Sequence, residues 1–369
     1  MLTLHIDLGK QWRGGQSQAL LLIKGLRARG HEAELLSLRG SPLARRAEAE
    51  GIRVHTVEKP FARPRTAMTL ARLIADRRPE IVHTHEAHAL TAAWLARASR
   101  RTGLIASRRL AYRLQQNYLS LARYQSAARI LAVSKFVAES LAASGIAGGR
   151  VEVVHDGVEV LPAVSPEERL GARRRWDMGS EERLLGCVGY LLPEKGQEIL
   201  VRAWPEVLKR SGPCRLLLAG EGKSRPQLEA LARERGVADT ILFAGFVEDV
   251  VEVYAALDGF LFPSLAEPLG SSMLAALAYG LPTVALARGA VPEVITDGET
   301  GLLVDGPDPS AFAAAVVRLL NEPGLAARLG AGARRTIEQN FSADHMVDAT
   351  LRVYSHVCEE RRSSERAAI

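Results

Sequence analysis

The sequence predicts an α/β protein of two domains, each a parallel sheet with helices between its strands. Three observations carry this. The chain has 369 residues, long enough for two separate cores. Apolar runs of strand length alternate with segments of helical periodicity. That alternation occurs twice, and the two series are parted by one stretch dense in charge.

In the first half the strand-length runs fall at residues 2–8, 34–38, 53–57, 80–84, 104–107 and 130–133. Between the first two, Ala19, Leu22, Ile23 and Leu26 share one helical stripe, and Gly30 is placed to stop that helix. Short strands separated by helices imply βαβ units and a parallel sheet. Residues 155–183 have weak periodicity, two prolines and many charges, and read as the connection between domains. The runs then resume at 184–188, 215–219, 241–244, 259–262, 283–286 and 302–304. The simplest architecture is two consecutive Rossmann-like domains with a crevice between them. Ligands are expected beyond the carboxyl ends of the strands. The polar tail 359–369 is expected to fray.

Composition limits the function classes. The 47% hydrophobic and 24% charged content is that of an ordinary soluble globular protein. No apolar run approaches the ~18 residues of a membrane span. The opening MLTLHIDLGK, with Asp7 inside its apolar run, predicts no secretory leader and a cytoplasmic protein. Cys187, Cys214 and Cys358 are far apart and odd in number, which fits reduced core thiols. Residues 1–170 carry 26 Lys and Arg against 15 Asp and Glu, whereas the remainder carries 22 against 27. A basic first half suits an anionic partner such as a membrane surface, a phospholipid or a nucleic acid, or a solvated basic face.

Candidate chemistry follows the strands. The loop GKQWRGGQS (9–17) opens the first helix, and Gly14 and Gly15 would let the backbone approach an anionic ligand. It lacks the GxGxxG spacing, and a tight turn is the plainer reading. HTHEAH (83–88) invites a metal reading, since His83 and His85 share a strand face. No distant Cys or Asp cluster completes a shell, so His85 is read as a hydrogen-bonding group at a strand end. AGEGKS (219–224) fails as a P-loop, because Leu217 stands where a glycine is required. Lys195, just before a helix, can reach a bound anion, although a solvated lysine is the alternative. In FPSLAEPLGSSMLAALAYG, the amides around Gly270, Ser271 and Ser272 form a helix start suited to a diphosphate. Glu267 beside it can accept hydrogen bonds from sugar hydroxyls, or simply complement the helix dipole.

Together these pieces resemble the retaining GT-B glycosyltransferases, specifically glycosyltransferase family 4. The resemblance runs in order along nearly the whole chain: GG at 14–15, HTHE at 83–86, AVSKFVAESL at 132–141, VVHDGVE at 153–159, PEKG at 193–196 and GEG at 220–222. It continues through FAGFVED at 243–249, FPSLAEPLG at 262–270, AYGLPTVA at 278–285 and DGETGLLV at 297–304. It implies an acceptor-binding domain over residues 1–160, completed by a terminal helix at 342–358, and a sugar-nucleotide-binding domain over 161–341. Lys195 matches the lysine that neutralises the donor diphosphate, Glu267 the first acid of the paired-glutamate motif, and His85 the histidine near the donor sugar. Gly270, Ser271 and Ser272 match the phosphate-binding helix start, and Gly15, with Gly14, the loop closing on the diphosphate. Tyr190, Gly220, Val247 and Leu269 lie in the donor-binding motifs. The resemblance implies no divalent metal and no cofactor beyond the nucleotide-sugar co-substrate. It implies transfer with retention, the leaving phosphate taking the acceptor's proton on the same face.

Arg13, Arg108, Arg109 and Arg113, in the basic first half, are the candidates for an anionic or lipid-linked cell-envelope acceptor of lipopolysaccharide or capsule type. A peripheral membrane contact is expected and a nucleic-acid partner is not. Two positions depart from the family pattern: Tyr190 replaces an arginine, and Ala275 replaces the second glutamate, a ribose ligand. A silent scaffold of the same fold, or a hydrolase or epimerase acting on the sugar nucleotide, stays open beside the transferase reading.

Overall fold

The computed structural model describes residues 1–58, 63–110, 112–114, 117–179 and 181–367. Ala111, Gln115 and Gln116 of the basic stretch 106–118, Ser180 of the stretch 155–183, and the terminal Ala368 and Ile369 lie outside the described residues. The chain divides into one unit of residues 1–157 with 343–369 and a second of residues 158–342.

In the first unit β1 (Leu2–Asp7), β2 (Glu32–Leu38), β3 (Val54–Val57), β4 (Ile81–Thr84), β5 (Gly103–Arg108), β6 (Arg129–Ala132) and β7 (Val151–Val153) form a parallel sheet in the order β3-β2-β1-β4-β5-β6-β7. Strand order reverses between β1 and β4, which makes the loops after these two strands the switch point of the sheet. The helix Gly14–Ala28 buries Ala19, Leu22, Ile23 and Leu26 against the sheet. It also packs on the long helix Ala343–Ala367, and the approach is close: a Cβ at Gly25 would lie 2.4 Å from Val347 Cγ2. Ile81, Ile105, Tyr354 and Val357 join the same core.

In the second unit β8 (Arg183–Val188), β9 (Cys214–Ala219), β10 (Ile241–Gly245), β11 (Gly259–Phe262), β12 (Thr283–Leu286) and β13 (Leu302–Val304) run parallel in the order β10-β9-β8-β11-β12-β13. Here the switch point lies between β8 and β11. Trp204, Leu216, Leu218, Phe312 and Val316 anchor its core, with Trp204 Nε1 donating to Thr240 Oγ1 at 3.1 Å.

Three expectations need correction. The stretch 155–183 does contain the passage from one unit to the other, at 157/158, but most of it is an integral part of the second unit. It holds the helix Pro166–Arg174, opened by a capping box of Ser165 and Glu168. That helix buries an arginine rather than an apolar stripe. Arg173 is 1% exposed, donates to the carbonyls of Gly179 and Ala256, and pairs with Asp258 at 3.1 Å. A guanidinium can be buried when carbonyls and a carboxylate take its donors, and this leaves no hydrophobic period to read. The tail does not fray before Ala367: Arg129 pairs with Glu360, and Arg361 donates to the Ser99 carbonyl at 3.2 Å. Finally β7, too short for a recognisable alternation, adds a strand beside β6.

Candidate active site

The switch point of the second unit brings together residues 72 positions apart. Lys195 ends a short 3-10 turn (Pro193–Lys195) after β8, and Glu267 lies in the loop after β11. Lys195 Nζ donates to Glu267 Oε2 at 2.7 Å, and the buried Ser264 hydroxyl donates to the same oxygen at 2.9 Å. Glu267 is 5% exposed, whereas the Lys195 side chain keeps 30% of its surface in solvent. Glu267 Oε1 has no hydrogen bond among the described residues. A buried carboxylate with one oxygen doubly satisfied and one open is held in orientation yet can accept a further donor.

Backbone packing fixes the two loops. Leu265 N–H donates to the Glu194 carbonyl at 2.9 Å, and Ala290 N–H donates to the Glu267 carbonyl at 3.0 Å. Gly196 has φ +69°, and a Cβ there would lie 2.1 Å from the Pro263 carbonyl oxygen. Gly289 has φ +60°, and its Cβ would lie 2.3 Å from that of Glu267. Both backbone conformation and contact distance therefore exclude a side chain at either position.

Gly270 precedes the helix Ser271–Ala278 and offers no side chain to its first amides. Its Cα lies against Glu267, whose Cγ would be 3.3 Å from an added Cβ. Ser271 is exposed and Ser272 half-buried, with the Ser272 carbonyl accepting from Tyr254 OH at 3.1 Å. Ala275 is half-buried on the same helix. Tyr190 is 38% exposed and its carbonyl accepts from Gln197 Nε2 at 3.0 Å. Gly220 packs on the Gly189–Tyr190 backbone and donates to the Gly245 carbonyl at 2.8 Å. The side chains of Val247 and Leu269 are buried in the loops after β10 and β11.

In the first unit His85 follows β4 at the switch point and is 5% exposed. Both of its ring nitrogens meet protein: Nε2 lies 3.0 Å from His5 Nδ1, and Nδ1 lies 3.4 Å from Arg109. His83 faces Tyr354 OH and Ser107 Oγ. His5, His83 and His85 converge closely enough to be considered as metal ligands, but these hydrogen bonds already occupy the ring nitrogens, and among the described residues no carboxylate or thiolate joins the group. Burial lowers His5 to about 3 and holds His83 and His85 well below their ordinary value, so all three rings are neutral at pH 7. Glu86 caps the helix Ala87–Leu95 through the amides of His88 and Ala89, and burial pushes it up to about 7. Asp7, raised by burial, accepts from Gly9 N–H and Gln16 Nε2.

Of the arginines, Arg108 is not on a surface loop. It ends β5, is 5% exposed, and donates to Tyr124 OH at 3.3 Å and to the Tyr112 carbonyl at 2.6 Å. Arg109 pairs with Asp156 at 2.8 Å. Arg113 is exposed, and so is Arg13, which donates to Gln11 from the residue before the first helix. Gly14 is exposed, and the space where Gly15 would carry a Cβ is open. Sequence reasoning missed His5, Asp156 and Ser264. The signal for His5 was present, because His5 and Asp7 are buried polar residues alternating inside a central strand. Asp156 lies in VVHDGVE, but nothing in that motif points to Arg109, since only the sheet brings the two together.

Residues 12–160 match the family described as Glycosyltransferase Family 4, and residues 182–322 match Glycosyl transferases group 1. The chain is 31% identical over 315 residues to a D-inositol 3-phosphate glycosyltransferase of Geodermatophilus obscurus, a match covering 79% of this chain and 69% of that protein. It is 34% identical over 188 residues to a GDP-mannose-dependent alpha-(1-6)-phosphatidylinositol monomannoside mannosyltransferase of Mycolicibacterium smegmatis, covering 48% and 49%. Across three curated relatives, that mannosyltransferase among them, the chain spans between 49% and 62% of their length. In structure it is similar to Anabaena Alr3699/HepE in complex with UDP-glucose, with a TM-score of 0.84 at 19% identity, covering 96% of this chain and 100% of that one. The chain therefore belongs to glycosyltransferase family 4, the glycosyl transferases group 1, and has the GT-B fold of two Rossmann-like domains.

Proposed function

We propose that this chain transfers a sugar from a nucleotide-sugar donor to an anionic, phosphorylated or lipid-linked acceptor, with retention at the anomeric carbon and without a divalent metal or other cofactor. The observation that carries the donor half is the cluster of Lys195, Glu267, Ser264 and the Gly270–Ser272 helix start. Negative charge grows on the leaving diphosphate during transfer. A partly exposed ammonium and uncapped helix amides are suited to meet it as it develops. Glu267 accepts a sugar hydroxyl through Oε1 while Lys195 and Ser264 hold Oε2. Retention is proposed from the family likeness, with the leaving phosphate taking the acceptor's proton.

The acceptor half rests on charge and on relatives. Two relatives act, by their names, on D-inositol 3-phosphate and on a phosphatidylinositol mannoside, both anionic. Arg13 and Arg113 are the exposed arginines of the four, and on that exposure they are the acceptor candidates. No helix among the described residues is long and apolar enough to cross a membrane, and contact with an anionic bilayer through the basic first unit is part of this reading. Nucleic acid is not among the partners proposed.

A thermal-shift panel of UDP-, GDP-, ADP- and CMP-sugars tests the donor. One nucleotide class should raise Tm, and acceptor-dependent release of that nucleotide should follow with inositol phosphate or an anionic glycolipid. NMR of the product should show the donor's anomeric configuration. Release without acceptor would make the chain a sugar-nucleotide hydrolase or epimerase, and no shift with any donor would make it a silent relative.

A further inference from the structure

The hydrogen bonds around His85 have only one consistent direction. Arginine carries donors and no acceptor, so Arg109 facing His85 Nδ1 requires that nitrogen to be bare. The proton of the neutral ring then sits on Nε2 and is donated to His5 Nδ1 at 3.0 Å. His5 must carry its own proton on Nε2, where it is donated to Thr3 Oγ1 at 3.1 Å. Thr3 in turn donates to the Glu32 carbonyl at 3.3 Å. Read from the far end the answer is the same: a carbonyl only accepts, so Thr3 gives its proton away and must accept from His5. The chain begins at Asp156, whose carboxylate holds the Arg109 Nε at 2.8 Å.

We propose that Arg109 is a positioning residue, clamped by Asp156, that holds His85 as its Nε2–H tautomer, so that the ring offers an incoming group only the Nδ1 acceptor. His85 then recognises a hydroxyl that takes the place of the long Arg109 contact, and it neither donates to a phosphate oxygen nor acts as an acid. The bearing of this on sugar transfer rests on the function proposed above, but the tautomer itself does not. The burial that keeps these rings neutral is consistent with a fixed tautomer.

The test is long-range proton–nitrogen NMR of the full chain labelled with 15N-histidine, with rings assigned from His85→Gln and His5→Gln. The expected wild-type spectrum shows protonated Nε2 and bare Nδ1 for both His85 and His5 at neutral pH. A proton on Nδ1 of either ring overturns the proposal, and this arm needs no variant of Arg109 and no substrate. In a Thr3→Val background, which removes the far end of the chain, Arg109→Lys should keep the single tautomer and Arg109→Met should give a mixture. Identical spectra for those two would remove Arg109 from its assigned part. Stoichiometric zinc should leave all three rings unchanged, and a joint shift of His5, His83 and His85 would instead make the cluster a metal site. A chain that failed to transfer sugar would leave these readouts standing.

Discussion

At Glu267 the protein has already spent half of a carboxylate on itself. Lys195 and Ser264 share Oε2, so under the proposed function a donor sugar would meet Oε1 alone and the diphosphate a lysine already paired. Ala275 matters against that background, because the helix that starts at Gly270 carries no acid at the position where family likeness places one. A charged hydrogen bond is worth ~1.5–3 kcal/mol, or roughly 10- to 150-fold in affinity. Ala275→Glu should therefore tighten the donor that shifts Tm by about 10-fold or more, measured by calorimetry. An unchanged Kd would mean the ribose is held elsewhere. The arginines divide in the same way. Arg113→Ala should raise the acceptor KM and leave stability within about 0.5 kcal/mol. Arg108→Met removes donors from the buried Tyr124 hydroxyl and the Tyr112 carbonyl, and should cost about 1–3 kcal/mol in urea unfolding, whatever it does to turnover.

Among the elements, the helix Pro166–Arg174 shows why a segment without hydrophobic rhythm can still be integral. It is pinned by Arg169 and Arg173 to the loop ahead of β11, where Asp258 and the carbonyls of Ala256 and Leu257 receive both guanidinium groups. Arg173→Met would take the buried guanidinium's donors from the Gly179 and Ala256 carbonyls and leave Asp258 to Arg169 and the Leu184 amide. The expected loss is about 3 kcal/mol in the unfolding of the second unit. Loss below about 0.5 kcal/mol would show the helix to be an appendage. By contrast the strands were read from sequence to within one or two residues at most ends. A central parallel strand is covered on both faces, so it appears as a continuous apolar run. The histidines and Asp7 escaped that pattern because their hydrogen bonds, not apolarity, make burial tolerable.

Over the whole molecule, buried titratable groups collect at the switch point of the first unit and pull stability in opposite directions with pH. His5 has a folded pKa of about 3 against 6.5 unfolded, so its contribution is complete above 6.5 and is lost as pH falls toward 3. Glu86 has a folded value of about 7 against 4.5, so the folded state holds the extra proton between those limits and stability falls as pH rises through them. A difference measurement separates the two. Glu86→Gln should gain stability relative to wild type on going from pH 5 to pH 8, read from urea midpoints at each pH. A difference independent of pH would mean that Glu86 ionises normally in the fold.

What the sequence determined by itself was the order of strands and helices, the two parallel sheets, and the loops after β8 and β11 as the place of Lys195 and Glu267. These are local properties, since periodicity, glycine placement and a polar residue after a strand are all written within about ten residues. Only the tertiary structure decided that Lys195 and Glu267 form an ion pair, that Ser264 orients the carboxylate, that Arg108 and Arg173 are buried, and that Asp156 reaches His85 through Arg109. Each of those depends on partners dozens of positions apart. The strand order that brings them together follows from packing over the whole sheet, which no local window contains.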